Sequence, residues 1–176
     1  AITAAAVDHS DDFLIFEVSD GFVGSISHSG GTTSVQSFTG AHISPISLSH
    51  VDLFNELGLG VIVSSNGEAM TDLLGVGESF TGCQITNTEN DKKVYGVVSR
   101  KPWQPGKIGW AHWPEEKYAV NVNSLGNGRI WVTNKNGNIE CGDYIASSNI
   151  QGYGQLQNDD ILHSYTVAKS TEDIDW

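Results

Sequence analysis

The chain has 176 residues, 39% of them hydrophobic and 17% charged. That composition excludes a disordered polyampholyte and gives one domain, or a domain with a short appended segment, enough apolar surface to bury about 70% of what the unfolded chain exposes. With 21 Asp and Glu against 9 Lys and Arg, the net charge is −12, so the chain lacks the clustered cations of a phosphate-tracking surface, and neither nucleic acid nor an anionic membrane is an expected partner.

No apolar run approaches the roughly 18 residues of a spanning helix. Residues 1–7 are apolar but lack the basic flank of a secretory leader. The 20 glycines, and the abundance of Thr, Ser, Asn, Val and Ile, favour strands and turns over long helices. Residues 13–27 (FLIFEVSDGFVGSIS) predict two short strands around an Asp20-Gly21 hairpin turn. A β unit of about 30 residues cannot bury both of its faces, so it must dock on something else or on copies of itself. Residues 29–40 (SGGTTSVQSFTG) are a Gly/Ser/Thr-rich connector. The expected division is a β stalk segment and connector over 1–37 and a compact β-rich domain over 38–176.

Between Pro45 and Asn55 the pattern allows one short helix. Residues 59–64 read as a buried strand closed by a Ser65-Asn66-Gly67 turn, and further strands are expected at 94–98, 119–123, 129–133, 143–147 and 163–169. An Asn136-Gly137 turn follows the fourth of these six strands. Short strands at such regular spacing predict an all-β sandwich or barrel.

Side-chain chemistry is sparse. Cys83 and Cys141 form no CxxC pair and are expected to be two buried free thiols. Asp8, Asp11 and Asp12 lack the spacing of a calcium loop, and none of the 6 histidines forms an HExxH pair, so no metal site is predicted. No GxSxG, P-loop or GxGxxG occurs, and no cofactor is predicted. His42 lies beside Ser44, and a serine nucleophile needs a base within hydrogen-bond reach. Glu68 follows the Asn66-Gly67 turn with Asp72 near it, a carboxylate pair of the kind that does acid/base work. His42, Ser44 and Glu68 are therefore the candidate catalytic residues. Trp103, Trp110, Trp113 and Tyr118 share a proline-containing loop that suits either a packed oligomer contact or a glycan platform.

Two sets of segments carry a family resemblance. Residues 24–34 (GSISHSGGTTS) resemble the stalk sequence that leads into the C-terminal intramolecular chaperones of phage tail spikes and fibres. Residues 94–99, 122–132 (VNSLGNGRIWV), 136–148 (NGNIECGDYIASS), 152–154 and 163–169 are similar to the autoproteolytic chaperone domain of the G2 peptidase family. The resemblance implies a domain that ends a viral tail spike, tail fibre or neck appendage, forms a homotrimer, aligns the upstream β-structured stalk of the same chain, and in cleaving members is released by autoproteolysis. It implies no multiple-turnover activity, and a location on the virion tail or in the host cytoplasm during assembly. Neither Ser10-Asp11 nor Ser19-Asp20 continues into the Ser-Asp-x-Arg-x-Lys stretch of the other common chaperone family. Cleavage residues are therefore not carried over from a family motif.

Two further classes compete with assembly. A receptor-binding tip retained on the fibre would read glycans through Trp103, Trp110 and Trp113. A free β-barrel enzyme has no motif to support it.

Overall fold

The computed structural model describes residues 12–18, 21–29, 32–36, 40–47, 49, 51–71, 79–103 and 117–176. It is all-β, with one seven-residue α-helix and a 3-10 turn at Asn134–Asn136 among these residues. The chain divides into two compact units, residues 1–39 and residues 40–176.

In the first unit β1 (Asp12–Val18), β2 (Gly21–Ser29) and β3 (Thr32–Gln36) form an antiparallel sheet in the order β1-β2-β3. Val18 pairs with Gly21, so Gly21 opens β2, and Asp20 of the expected turn lies outside the described residues. The register places Leu14 opposite Ile26 and Ile26 opposite Val35. One row across all three strands is thus apolar in sequence, while the neighbouring row runs Ile15, Ser25, Gln36. Among the described residues β1 and β3 each pair on one side only.

The second unit starts with β4 (Ala41–Ser47), α1 (Val51–Leu57), β5 (Ile62–Thr71), β6 (Ser79–Ile85), β7 (Val94–Trp103) and β8 (Lys117–Asn123). The strands pair in the order β4-β6-β5-β7-β8, and β8 returns to β4 along the full run from Ala41↔Asn123 to Ser47↔Lys117. The sheet closes on itself. Ile46, Val63, Cys83, Ile85, Val98, Val120 and Val122 of the strands pack in one core cluster with Val61, just before β5, and Phe54 of α1. Ala119, Ile43, Met70 and Phe80 form a smaller cluster of their own.

Three local expectations shift. Residues 45–47 belong to β4, and the helix begins only at Val51. Pro45 biases Ser44 toward extended backbone, and Ser44, Pro45 and Ile46 are all buried in β4. Asn66-Gly67 does not close a strand. β5 continues through it to Thr71, and the register against β6 jumps between Ser65 and Ala69. The turn-forming dipeptide is absorbed as a bulge, in which Gly67 takes a φ of 83°. Of the strand expected at 129–133, only Val132–Thr133 pairs, as β9.

β9, β10 (Tyr144–Ser147), β11 (Gly154–Leu156) and β12 (Thr166–Lys169) form a second sheet in the order β12-β10-β11-β9. Backbone hydrogen bonds join it to the closed sheet. Gly152 N–H donates to Thr86 O at 2.7 Å, and Ile62 N–H donates to Gly152 O at 3.0 Å. Asn90 N–H donates to Ser147 O at 3.1 Å, and Trp131 N–H donates to Gly60 O at 3.1 Å. Gly152 is buried at a φ of 81°, and a Cβ there would meet Val61 Cγ1 at 2.8 Å. Only glycine can bring the backbone this close.

Candidate functional site

Two of the three candidate catalytic residues lie on β4. His42 is exposed and pairs with Val122, and Ser44, two positions on and so on the same strand face, is buried opposite Val120. Ser44 does not use His42. Its Oγ lies 2.7 Å from the Tyr95 hydroxyl, a partner 51 positions away on β7. Tyr95 has its pKa raised, first by burial and then by the neighbouring Cys83 thiol, with the Ser44 hydrogen bond opposing both. The phenol therefore stays neutral at physiological pH. Ser44, Tyr95 and Cys83 make a polar centre within the closed sheet. It satisfies the Ser44 hydroxyl in a site where an unpaired one would be costly. Among the described residues no base reaches Ser44, and the His42 side chain makes no hydrogen bond.

Glu68 sits apart from this pair, in the β5 bulge. Its N–H donates to Asn66 Oδ1 at 2.9 Å, and its Oε2 accepts from Asn66 Nδ2 at 3.1 Å. Asp72, Trp110 and Trp113 lie outside the described residues, and Trp103 ends β7 opposite Ala119. No group of three His, Cys, Asp or Glu among the described residues is placed to hold a metal ion. Among the same residues no helix is long and apolar enough to cross a membrane. Cys83 is buried as expected, but Cys141 is exposed. It occupies the tight turn between Glu140 and Asp143, where its N–H donates to Asp173 Oδ1 at 2.7 Å.

A groove of about 1230 Å³ runs between β7, β8, β12 and the 124–131 loop. Leu59, Leu125 and Trp131 line it and are 51%, 78% and 42% exposed. Trp131 is fixed rather than loose: its Nε1–H is shared between Leu57 O at 3.0 Å and Leu59 O at 2.9 Å, taking up a carbonyl at the end of α1. Its ring tilts against Tyr153 with centroids 6.0 Å apart. Gly60 makes room for it, since a Cβ there would lie 2.9 Å from Arg129 O and 3.4 Å from the indole. Arg129 and Lys169 also line the groove, and neither forms an ion pair among the described residues. Sequence reasoning looked for aromatic chemistry in residues 103–113 and missed Trp131. The signal available was a tryptophan following the Gly126-Asn127-Gly128 loop.

Comparison of the chain with protein-family models, with characterised proteins and with solved structures finds no match.

Proposed function

We propose that this chain is a C-terminal intramolecular chaperone that trimerises and aligns a β-structured viral tail spike or fibre. The observation that carries it is the sheet of the first unit. Leu14, Ile26 and Val35 form an apolar row across three strands whose outer edges are unpaired among the described residues. Three strands are the least that can stand alone, and only with a covered apolar face, while unpaired strand edges invite pairing with other chains. Three copies brought together would cover such a row and raise the local concentration of the stalks upstream. A long β stalk has high contact order and folds slowly, so a compact assembly module that forms first is of use to it. The all-β second unit, with its closed sheet, supplies that compact module.

The test is the mass of the 176-residue chain in solution. Sedimentation at micromolar concentration is expected to give three copies, and a single copy at every concentration would end the assembly proposal. Self-cleavage is a separate question, read from the masses released by a longer precursor. His42→Ala, Ser44→Ala and Glu68→Gln each test one residue, and unchanged processing removes that residue from the chemistry.

A further inference from the structure

The second unit carries a knob as well as a groove. Residues 157–165 form a loop before β12 that holds Ile161 and Leu162 in water, 63% and 71% exposed. These two large aliphatic side chains stand side by side on a loop braced by its own hydrogen bonds. Gln157 Nε2 donates to Asp159 O at 2.9 Å and to Ile161 O at 2.8 Å. Asp159 Oδ1 accepts from Ile161 N–H at 3.0 Å and lies 2.9 Å from His163 Nε2. Thr166 Oγ1 donates to Gln157 Oε1 at 2.6 Å and accepts from His163 N–H at 2.9 Å. The His163 ring stacks on Tyr165 with centroids 4.6 Å apart and planes inclined by 15°. A loop so held meets a partner without first losing conformational freedom, which is the physical meaning of preorganisation.

We propose that this knob seats in the Leu59–Leu125–Trp131 groove of a second copy of the chain, a contact that rests on the trimeric reading given above and names its interface. None of residues 157–166 lines the groove of its own chain. The two surfaces are complementary in kind. The knob presents two aliphatic side chains preceded by the carboxylates of Asp159 and Asp160, and Asp160 makes no hydrogen bond among the described residues. The groove presents apolar side chains together with Arg129 and Lys169, two of only 9 cations in a chain of net charge −12. Most of this acidic surface repels another copy, so a cation-bearing apolar groove is where an acid-flanked apolar knob is tolerated. A knob and a groove at different places on one surface make a heterologous contact. Such a contact closes into a ring when its rotation permits, and a ring of three is what an assembly domain requires.

The experiment uses the full chain. Leu162→Asp places a carboxylate on the knob, and Leu125→Asp places one in the groove. Each is expected to weaken self-association about 100-fold, from the lost apolar burial. Both residues are exposed, and an unchanged circular dichroism spectrum and melting temperature check that the fold persists. As an independent measurement, a Leu162→Cys chain is mixed with a Leu125→Cys chain, both in a Cys141→Ser background. A disulfide joining the two different chains is the expected product under mild oxidation. Wild-type trimers that persist in both Asp variants and yield no mixed disulfide overturn this contact and leave trimeric assembly intact. A wild-type chain that sediments as one copy overturns both.

Discussion

The Trp131 indole nitrogen donates to Leu57 O and Leu59 O at 3.0 and 2.9 Å, tying the 124–131 loop to the end of α1 across more than 70 positions of sequence. One side chain thereby builds a wall of the groove and closes a helix terminus. Trp131→Phe keeps the ring and removes the donor. The carbonyls turn partly to water, so the expected cost is about 1 kcal/mol, checked by the urea midpoint.

Ser44 and Tyr95 predict a coupled pair. Tyr95→Phe strands the fully buried Ser44 hydroxyl, whereas Ser44→Ala takes from the Tyr95 hydroxyl one of its two partners and leaves it the Cys83 sulfur. Each single change should cost about 1–3 kcal/mol. The double variant should cost less than the sum, because no orphaned hydroxyl remains. A double-mutant cycle by chemical denaturation reads the coupling, and strict additivity would mean the hydrogen bond carries no energy.

Tyr95 also sets an alkaline limit. Its folded pKa lies above the ordinary value of 10.0, because burial disfavours the phenolate. A raised folded pKa gives stability that is fully present below the unfolded value. It is lost as pH climbs from there through the folded pKa. Stability measured from pH 9 upward should therefore fall from about pH 10 in the wild type. In Tyr95→Phe this part of the fall should be missing, and identical slopes in the two chains would contradict the assignment.

The knob has an acid limit. Asp159 has its pKa lowered from 3.8, first by the Ile161 N–H and then by the side chain of His163. A lowered folded pKa gives stability that is present above the unfolded value and disappears as pH falls through the folded one. Hydrogen exchange at the Ile161 amide should lose protection below about pH 4. Asp159→Asn should make that protection insensitive to pH over the same range.

Gly152 and Gly58 separate two kinds of glycine requirement. Both have positive φ, 81° and 74°. A Cβ on Gly58, just past α1, would meet nothing within 4 Å, so Gly58→Ala should cost only the backbone strain of about 1 kcal/mol. A Cβ on Gly152 would meet Val61 at 2.8 Å and Ile85 at 3.2 Å, inside the join between the two sheets of the second unit. Gly152→Ala should cost roughly 3 kcal/mol, with strain and overpacking added together. Thermal melts of the two variants check the difference.

Much of the strand inventory is legible from residue order. The runs at 94–98 and 119–123 fall within β7 and β8, and the run at 143–147 forms β10 from Tyr144 on, because period-two alternation of β-branched residues is a local property. The window from Pro45 to Asn55 meets α1 only over 51–55, and Asn66-Gly67 kinks β5 without ending it, because turn-forming residues do not reveal whether a strand stops or merely kinks. Ser44 stood out as a hydroxyl near a histidine, but nothing within 51 positions of it pointed to Tyr95. The groove was invisible for a similar reason: Leu59, Leu125 and Trp131 become neighbours only once β5, β8 and β9 are in place.

Sequence alone determined that this is a strand-forming, acidic chain without the charge pattern of a phosphate-tracking surface, since composition and short-range alternation act one residue at a time. Only the tertiary structure decided that β8 returns to β4, that Gly152 carries the backbone between the sheets, and that apolar side chains and two cations share one groove. Pairings of that kind depend on summed packing and hydrogen bonds between distant segments, and no window along the chain contains both partners.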